Sequence, residues 1–480
     1  MIKGDITRRY NRCVIVRLAL LVPLGVFAAV KMLLLSKPEF PQSGYDYQRL
    51  VELAGITLAA VFLPFLPAGN SSRLFKVLLY LCVVLLVVLL VHGTNGRPVM
   101  IESLMLALLV IVAVWGGGLI REFNLSDALL LAAQLSIVWY TLISMQWLVL
   151  LVTNDILPNP FTFFDGFVNP RLFGAWVTLS WPLLLLRPTI FRHAGFIHEK
   201  LLPALLFIFA AAWWSMVFFS GTRAAWLAAF VMLGLVALGG PTGRDLARRG
   251  ALAVAAGFAL HQLFFVYWPT VSTGLEALNS IDRLSSGMIL TRRDLLWGVA
   301  WTGIVERPLF GAGPMMFSAT GTGAASTTHN VILQLAYEWG VPFALLVIGG
   351  TLRFMWRQFM RGRIEMDSTR LVLWMCFTGA LIEAQLDGLL IAPHSQLMFV
   401  VLCAWLMSLD PPVTAPLPLW QARAWQVMRF LPLLMVLALW SSLWPELSRL
   451  EAWELEGLQK TGIANFQPRF WVQGVIFPEP

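Results

Sequence analysis

The sequence predicts an all-α, polytopic membrane protein, and three observations carry that prediction. Of the 480 residues, 58% are hydrophobic and only 12% are charged, against roughly 25% charged in a globular domain. The mean hydropathy is +0.75. The chain also holds 21 Trp and 32 Phe, more large apolar side chains than one water-soluble core of this length can hide. This composition excludes a soluble enzyme, a nucleic-acid binder and a disordered scaffold.

The elements follow in order from the apolar runs. The first, residues 14–35, comes after Lys3, Arg8, Arg9 and Arg12. It is too long for a signal-peptide core and lacks a small-x-small cleavage site, so it is read as a retained span. Further runs able to cross roughly 30 Å of hydrocarbon lie near 51–66, 75–92, 98–120, 128–152, 172–186, 201–219, 224–239, 251–268, 341–356, 371–388, 395–409 and 426–444. The expectation is therefore 12 or 13 transmembrane helices. With a cytoplasmic N-terminus, nineteen Lys and Arg fall in inside segments, twelve outside and three within spans, which is the bias that the positive-inside rule counts. Four cysteines (Cys13, Cys82, Cys376, Cys403) sit in or beside apolar runs and read as small buried hydrophobes rather than a disulfide or zinc framework.

Most connections are short, but one outer loop of about 70 residues stands apart. The organisation expected is N-terminal spans over 1–268, the loop with a catalytic helix over 269–340, further spans over 341–444, and an outer tail over 445–480. The tail segment Asn465 to Trp471 reads as an aromatic anchor at headgroup level, with a substrate role as the alternative.

The long loop contains Arg283, Arg292, Arg293 and Arg307 but no lysine. A guanidinium offers a planar fork that grips phosphate or carboxylate through two hydrogen bonds, whereas lysine is a point charge; ordinary pairing with Glu276, Asp282, Asp294 and Glu306 is the plainer account. Residues 326–342 form a punctuated helix: Thr327 or Thr328 is placed to cap it, and Gly340 with Pro342 stops it. His329 then falls in the first turn, where the positive end of the helix dipole favours a neutral ring able to accept a proton. Ser220-Gly221-Thr222-Arg223 makes a short outer turn that places Arg223 at headgroup level, and Arg293-Asp294-Leu295-Leu296-Trp297 precedes the glycine-rich bend Glu306 to Pro314. Each piece has an unremarkable structural reading alone.

Taken in order, the Ser/Gly-x-Arg turn, Arg-x-x-x-Trp, Arg-Pro-Leu-x-Gly-x-Gly and His-Asn-x-x-Leu-Gln-x-x-x-Glu-x-Gly before a span resemble the bacterial O-antigen ligase, O-antigen polymerase and protein O-oligosaccharyltransferase superfamily. The resemblance is strongest from about Phe167 to Trp339. It implies a GT-C-like membrane glycosyltransferase, at the periplasmic face of the inner membrane, that moves a glycan from an undecaprenyl-diphosphate carrier to an acceptor hydroxyl without metal or cofactor. It implies His329 as the base for the acceptor, with Arg223 and Arg293 holding the donor diphosphate. Arg292, Arg171, Asn330, Glu338 and Asp387 are implied as substrate contacts. Two departures stand out: Asn169-Pro170-Arg171 replaces the Asn-Pro-Asn of many members, and no large helical-repeat domain follows the last span.

The residues agree with this chemistry. A diphosphate leaving group needs its charge stabilised, and an acceptor hydroxyl needs a base near neutrality. Asp-x-Asp on the outer face, His-Glu-x-x-His and Gly-x-x-x-x-Gly-Lys are all missing, so neither a metal-bound sugar nucleotide nor ATP is implied. The acceptor stays open: lipid A core for a ligase, a lipid-linked repeat for a polymerase, or a protein such as pilin. A secondary transporter is the reading from another class. Its marks would be paired broken spans and midplane charges, and Glu383 with Asp387 is one such pair with no counterpart.

Overall fold

The computed structural model describes residues 44–65, 71–189, 195, 197–277, 293–320, 325–412 and 418–447, and beyond them 449–450, 452, 456, 459, 469–472, 474 and 476. The expected first span at 14–35, Arg283 and Arg292 lie outside the described residues. Among those described, every regular element is helical. The chain is thus an all-α, multi-pass membrane protein, as its composition requires: in hydrocarbon a helix satisfies its own backbone hydrogen bonds.

The helices are α1 (Gly44–Phe62), α2 (Ser71–His92), α3 (Arg97–Glu122), α4 (Ser126–Thr153), α5 (Pro170–Ser180), α6 (Leu202–Ser220), α7 (Arg223–Ala237), α8 (Gly240–His261), α9 (Arg293–Glu306), α10 (Val331–Trp339), α11 (Val341–Glu365), α12 (Ser368–Glu383), α13 (Pro393–Ser408), α14 (Leu419–Met428) and α15 (Leu431–Leu447). The last helical turns of α8 run on through Gln262–Tyr267 to Thr273. Among the described residues, six helical segments are long and apolar enough to cross a membrane, and Arg223–Ala237 and Pro393–Ser408 are shorter apolar helices.

Two apolar clusters organise the bundle. One joins α4 to α7 with α12 and α13, centred on Phe173, Trp181, Trp213 and Trp405. The other joins α1, α2, α3, α13 and α15. Helices pack closely where small residues allow it: a Cβ on Gly257 of α8 would stand 2.4 Å from the Trp214 Cβ of α6.

Three expectations are corrected. The run at 172–186 is a broken element, with α-helix to Ser180 and a 3-10 turn over Trp181–Leu185. Pro182 cannot donate the next helical hydrogen bond, and the segment lies at the bundle centre, with Phe173, Trp181 and Leu183 at 0% exposure. The run at 371–388 is helical only to Glu383, so Asp387 lies in the following turn rather than on a helix face with Glu383. Phe470 and Trp471 are buried against α1 and α15 rather than lying at a lipid surface, so they are not an aromatic anchor.

Candidate active site

Three helices begin at one end of the bundle, and each brings an arginine there. In α5, Asn169 caps the helix by accepting from Arg171 N at 2.9 Å, and Pro170 takes the first position, where a missing N–H costs nothing. In α7, Gly221 turns the chain at φ 68°, and Arg223 starts the helix. The two turns are pinned together: Thr222 Oγ1 donates to Pro170 O at 3.3 Å, and Gly174 leaves the space that the Thr222 side chain fills. Arg293 is the first residue of α9. Burial pushes its guanidinium below its ordinary value; Asp387 opposes that, and Arg171 and Arg223 add to it. The three arginines and Asp387 therefore share one electrostatic neighbourhood.

His329 enters the same neighbourhood from α10. The expected cap is corrected here: Asn330, not Thr327 or Thr328, caps α10, its Oδ1 accepting from Leu333 N at 3.0 Å. His329 stands just before the cap rather than in the first turn, at φ 51°. That left-handed backbone is unusual for a residue with a Cβ and costs on the order of 1 kcal/mol or more. It persists because the surroundings hold it. Trp297 Nε1 donates to Thr328 O at 3.1 Å, Asn330 Nδ2 donates to Gln385 O at 3.2 Å, and Val331 N donates to Ala384 O at 2.9 Å. The last two bonds tie the histidine segment to the turn after α12.

That turn presents Asp387. Its Oδ1 is 3.5 Å from His329 Nδ1, an ion-pair distance longer than an ordinary hydrogen bond. Burial alone would raise the Asp387 carboxyl, but the His329 ring, Arg171 and the Gly388 N–H outweigh it and hold it at about 2. His329 keeps 25% of its side chain exposed while Asp387 keeps 8%, so the ring stays partly accessible with a buried carboxylate beside it. Glu383 lies deeper and fully buried.

Arg223, Arg293, His329, Asp387 and Arg171 thus converge, and two other expected substrate contacts do not. Asn330 spends its amide on the cap and on Gln385. Glu338 is 2% exposed, and its carboxylate is taken by Arg469 (2.8 and 2.9 Å), Gln334 Nε2 (2.6 Å) and Phe317 N (3.2 Å). Burial raises the Glu338 carboxyl and Arg469 pulls it back. Sequence reasoning missed His394, a half-buried ring that contacts Gln48 Oε1 at 2.9 Å and Leu172 O at 3.1 Å beside Arg171. It also missed the buried Arg49–Glu52 pair in α1. Charges at the start of an apolar run were the available signal.

Chemically, the described residues bring three guanidiniums and one carboxylate into a partly desolvated place. The arginine forks suit phosphate oxygens. A histidine backed by a carboxylate can take a proton, with the carboxylate balancing the charge that forms. Among the described residues, no three His, Cys, Asp or Glu side chains come together in a metal-binding group.

No curated protein and no solved structure matches the chain. Residues 205–348 match the family model described as O-antigen ligase (Wzy_C). The match begins in α6 and spans Arg223, Arg293 and His329. Over these residues, less than half of the chain, the sequence is similar to the O-antigen ligase family, which supports that superfamily.

Proposed function

We propose that the protein transfers a glycan from an undecaprenyl-diphosphate carrier to an acceptor hydroxyl at the periplasmic face of the bacterial inner membrane, as an O-antigen ligase acting on lipid A core. The observation that carries this reading is the convergence of Arg171, Arg223 and Arg293 with the His329–Asp387 pair at one end of a membrane bundle. The family match supports a glycosyl-transferring enzyme, and the bias of basic residues supports placing this end outside.

The arginines hold the donor diphosphate. His329 removes the proton from the acceptor hydroxyl, whose oxygen attacks the anomeric carbon. The bond from that carbon to the diphosphate oxygen breaks, and undecaprenyl diphosphate leaves with the electron pair, its charge spread over the guanidiniums. Asp387 orients the ring and balances the imidazolium. Nothing in this scheme needs a metal ion. The resemblance implies Arg292 as a further contact for the donor.

The test is transfer by purified His329→Ala. A general base contributes about 100-fold or more, so the variant should fold, insert and transfer at no more than roughly a hundredth of the wild-type rate. Near-normal transfer ends the assignment. Deletion of the gene should remove polymer from lipid A core. Loss of a pilin mass increment instead would move the acceptor to protein, and retention of single repeats on the core would make the enzyme a polymerase.

A further inference from the structure

Residues 469–472 lie beyond the last helix, yet they are buried at the end of the bundle that carries the site. Tyr45 Oη donates to Arg469 O at 2.5 Å, Arg49 Nε to Phe470 O at 2.9 Å, Val472 N to Asp46 Oδ1 at 2.6 Å, and Trp471 Nε1 to Glu446 Oε2 at 3.0 Å. Further on, Ile476 N donates to Ser318 O at 3.0 Å. The segment is a strap laid across α1, α15 and the loop between α9 and α10.

Its side chain of consequence is Arg469, 1% exposed. The guanidinium donates to both Glu338 oxygens and, at 3.2 Å, to Ser326 O. From Glu338 the contacts run on toward the histidine. Gln334 Nε2 donates to Glu338 Oε1 at 2.6 Å, and Gln334 Oε1 accepts from Thr328 N at 2.8 Å. Trp297 Nε1 holds the carbonyl of the same Thr328. The residue before His329 is thus gripped at both its N–H and its C=O, immediately ahead of a backbone that would otherwise relax from φ 51°. Arg469 and Glu338 are both almost wholly buried.

We propose that Arg469, Glu338 and Gln334 are positioning residues, and that the C-terminal strap holds His329 at the angle from which it meets both Asp387 and the acceptor. The carboxylate of Glu338 is the joint: it ties the strap to α10, and Gln334, one turn back on the same helix face, carries that tie to Thr328. This rests on the reading of His329 as the base. The strap touches no substrate in this scheme.

Removing Arg469 alone leaves a buried carboxylate unpaired and endangers folding, so the decisive variant is Gln334→Met. It has similar volume, leaves the Arg469–Glu338 pair in place, and removes both bonds of the Gln334 amide, to Thr328 N and to Glu338 Oε1. Displacement of a base by about an ångström costs up to roughly 100-fold. Gln334→Met should therefore lower kcat about 10- to 100-fold with the KM for lipid-linked donor and for acceptor unchanged and the thermal transition preserved. The double variant Glu338→Gln with Arg469→Gln, which replaces the ion pair by an amide pair, should be more active than either single one.

A readout independent of turnover accompanies these. With His329→Cys, in a chain whose four native cysteines are replaced by alanine, labelling by a membrane-impermeant maleimide should quicken when Gln334→Met is added. Wild-type kcat in folded Gln334→Met, a loss confined to KM, or an unchanged labelling rate would each overturn the strap. Run in the same assay, an active His329→Ala overturns the catalytic reading itself. An inactive His329→Ala beside a fully active Gln334→Met overturns the strap alone.

Discussion

Asp387→Asn isolates the charge behind the histidine. Asparagine keeps the shape of the side chain, and its carbonyl oxygen can still accept from Gly388 N–H, which lies 2.8 Å from Asp387 Oδ1. Only the negative charge, 3.5 Å from His329 Nδ1, is lost. The magnitude comes from the carboxyl itself, which the folded protein holds at about 2 against an ordinary 3.8. That difference amounts to on the order of 2 kcal/mol of preference for the charged form. His329, Arg171 and Gly388 N–H share it. If the whole of it acts on the protonated ring in the transition state, kcat falls about 30-fold, so a loss of roughly 10- to 30-fold is expected. The assay is transfer from undecaprenyl-diphosphate-linked glycan by purified protein in vesicles, followed by the mobility of the product. Stability carries a second signature. A carboxyl held below its unfolded value stabilises the fold above that value, and loses the contribution as pH falls through the folded one. The wild-type advantage in thermal stability over Asp387→Asn should therefore be full above about pH 4 and shrink toward pH 2. A variant with wild-type kcat and no such convergence would refute the pairing of Asp387 with His329.

The remaining expectations concern the arginines and the turns that hold them. Arg223→Lys and Arg293→Lys keep the charge but lose the planar fork; both should stay impaired, chiefly through weaker donor use, and full activity in both would reduce these residues to structural ones. Transfer should proceed at an unchanged rate in excess EDTA, because the proposed scheme assigns to the arginines the neutralising role that a cation would otherwise play at the leaving diphosphate. Collapse on chelation with recovery in magnesium or manganese would move attention to Glu383 and Asp387. Gly174→Ala places a Cβ 2.5 Å from the Thr222 side chain, which should cost about 1–3 kcal/mol and part the turns bearing Arg171 and Arg223. Unchanged melting and donor KM would show that the two turns are not locked together.

Much of this protein is legible from local pattern, and the exceptions have a common cause. Apolar runs such as 75–92, 98–120 and 128–152 became α2, α3 and α4 because hydrocarbon leaves a backbone no partner but itself. The run at 172–186 was equally apolar, yet Pro182 and a position at the bundle centre made it a broken, fully buried element. Hydropathy reports what a segment avoids. It does not report which neighbours surround it.

The same division runs through the site. Residue type and motif order by themselves singled out His329, Arg223 and Arg293, because the chemistry of a proton acceptor and a phosphate grip is written in side-chain identity. Only the tertiary structure brought Arg171 beside them through the contact of Thr222 with Pro170, moved His329 out of the helix to φ 51°, put Asp387 in a turn behind it, and folded Arg469 back onto Glu338. Those arrangements depend on groups far apart in the chain meeting at 2.5–3.5 Å. The local periods of a helix carry no information about such meetings, which are decided when close-packed helices leave one way for their ends to fit.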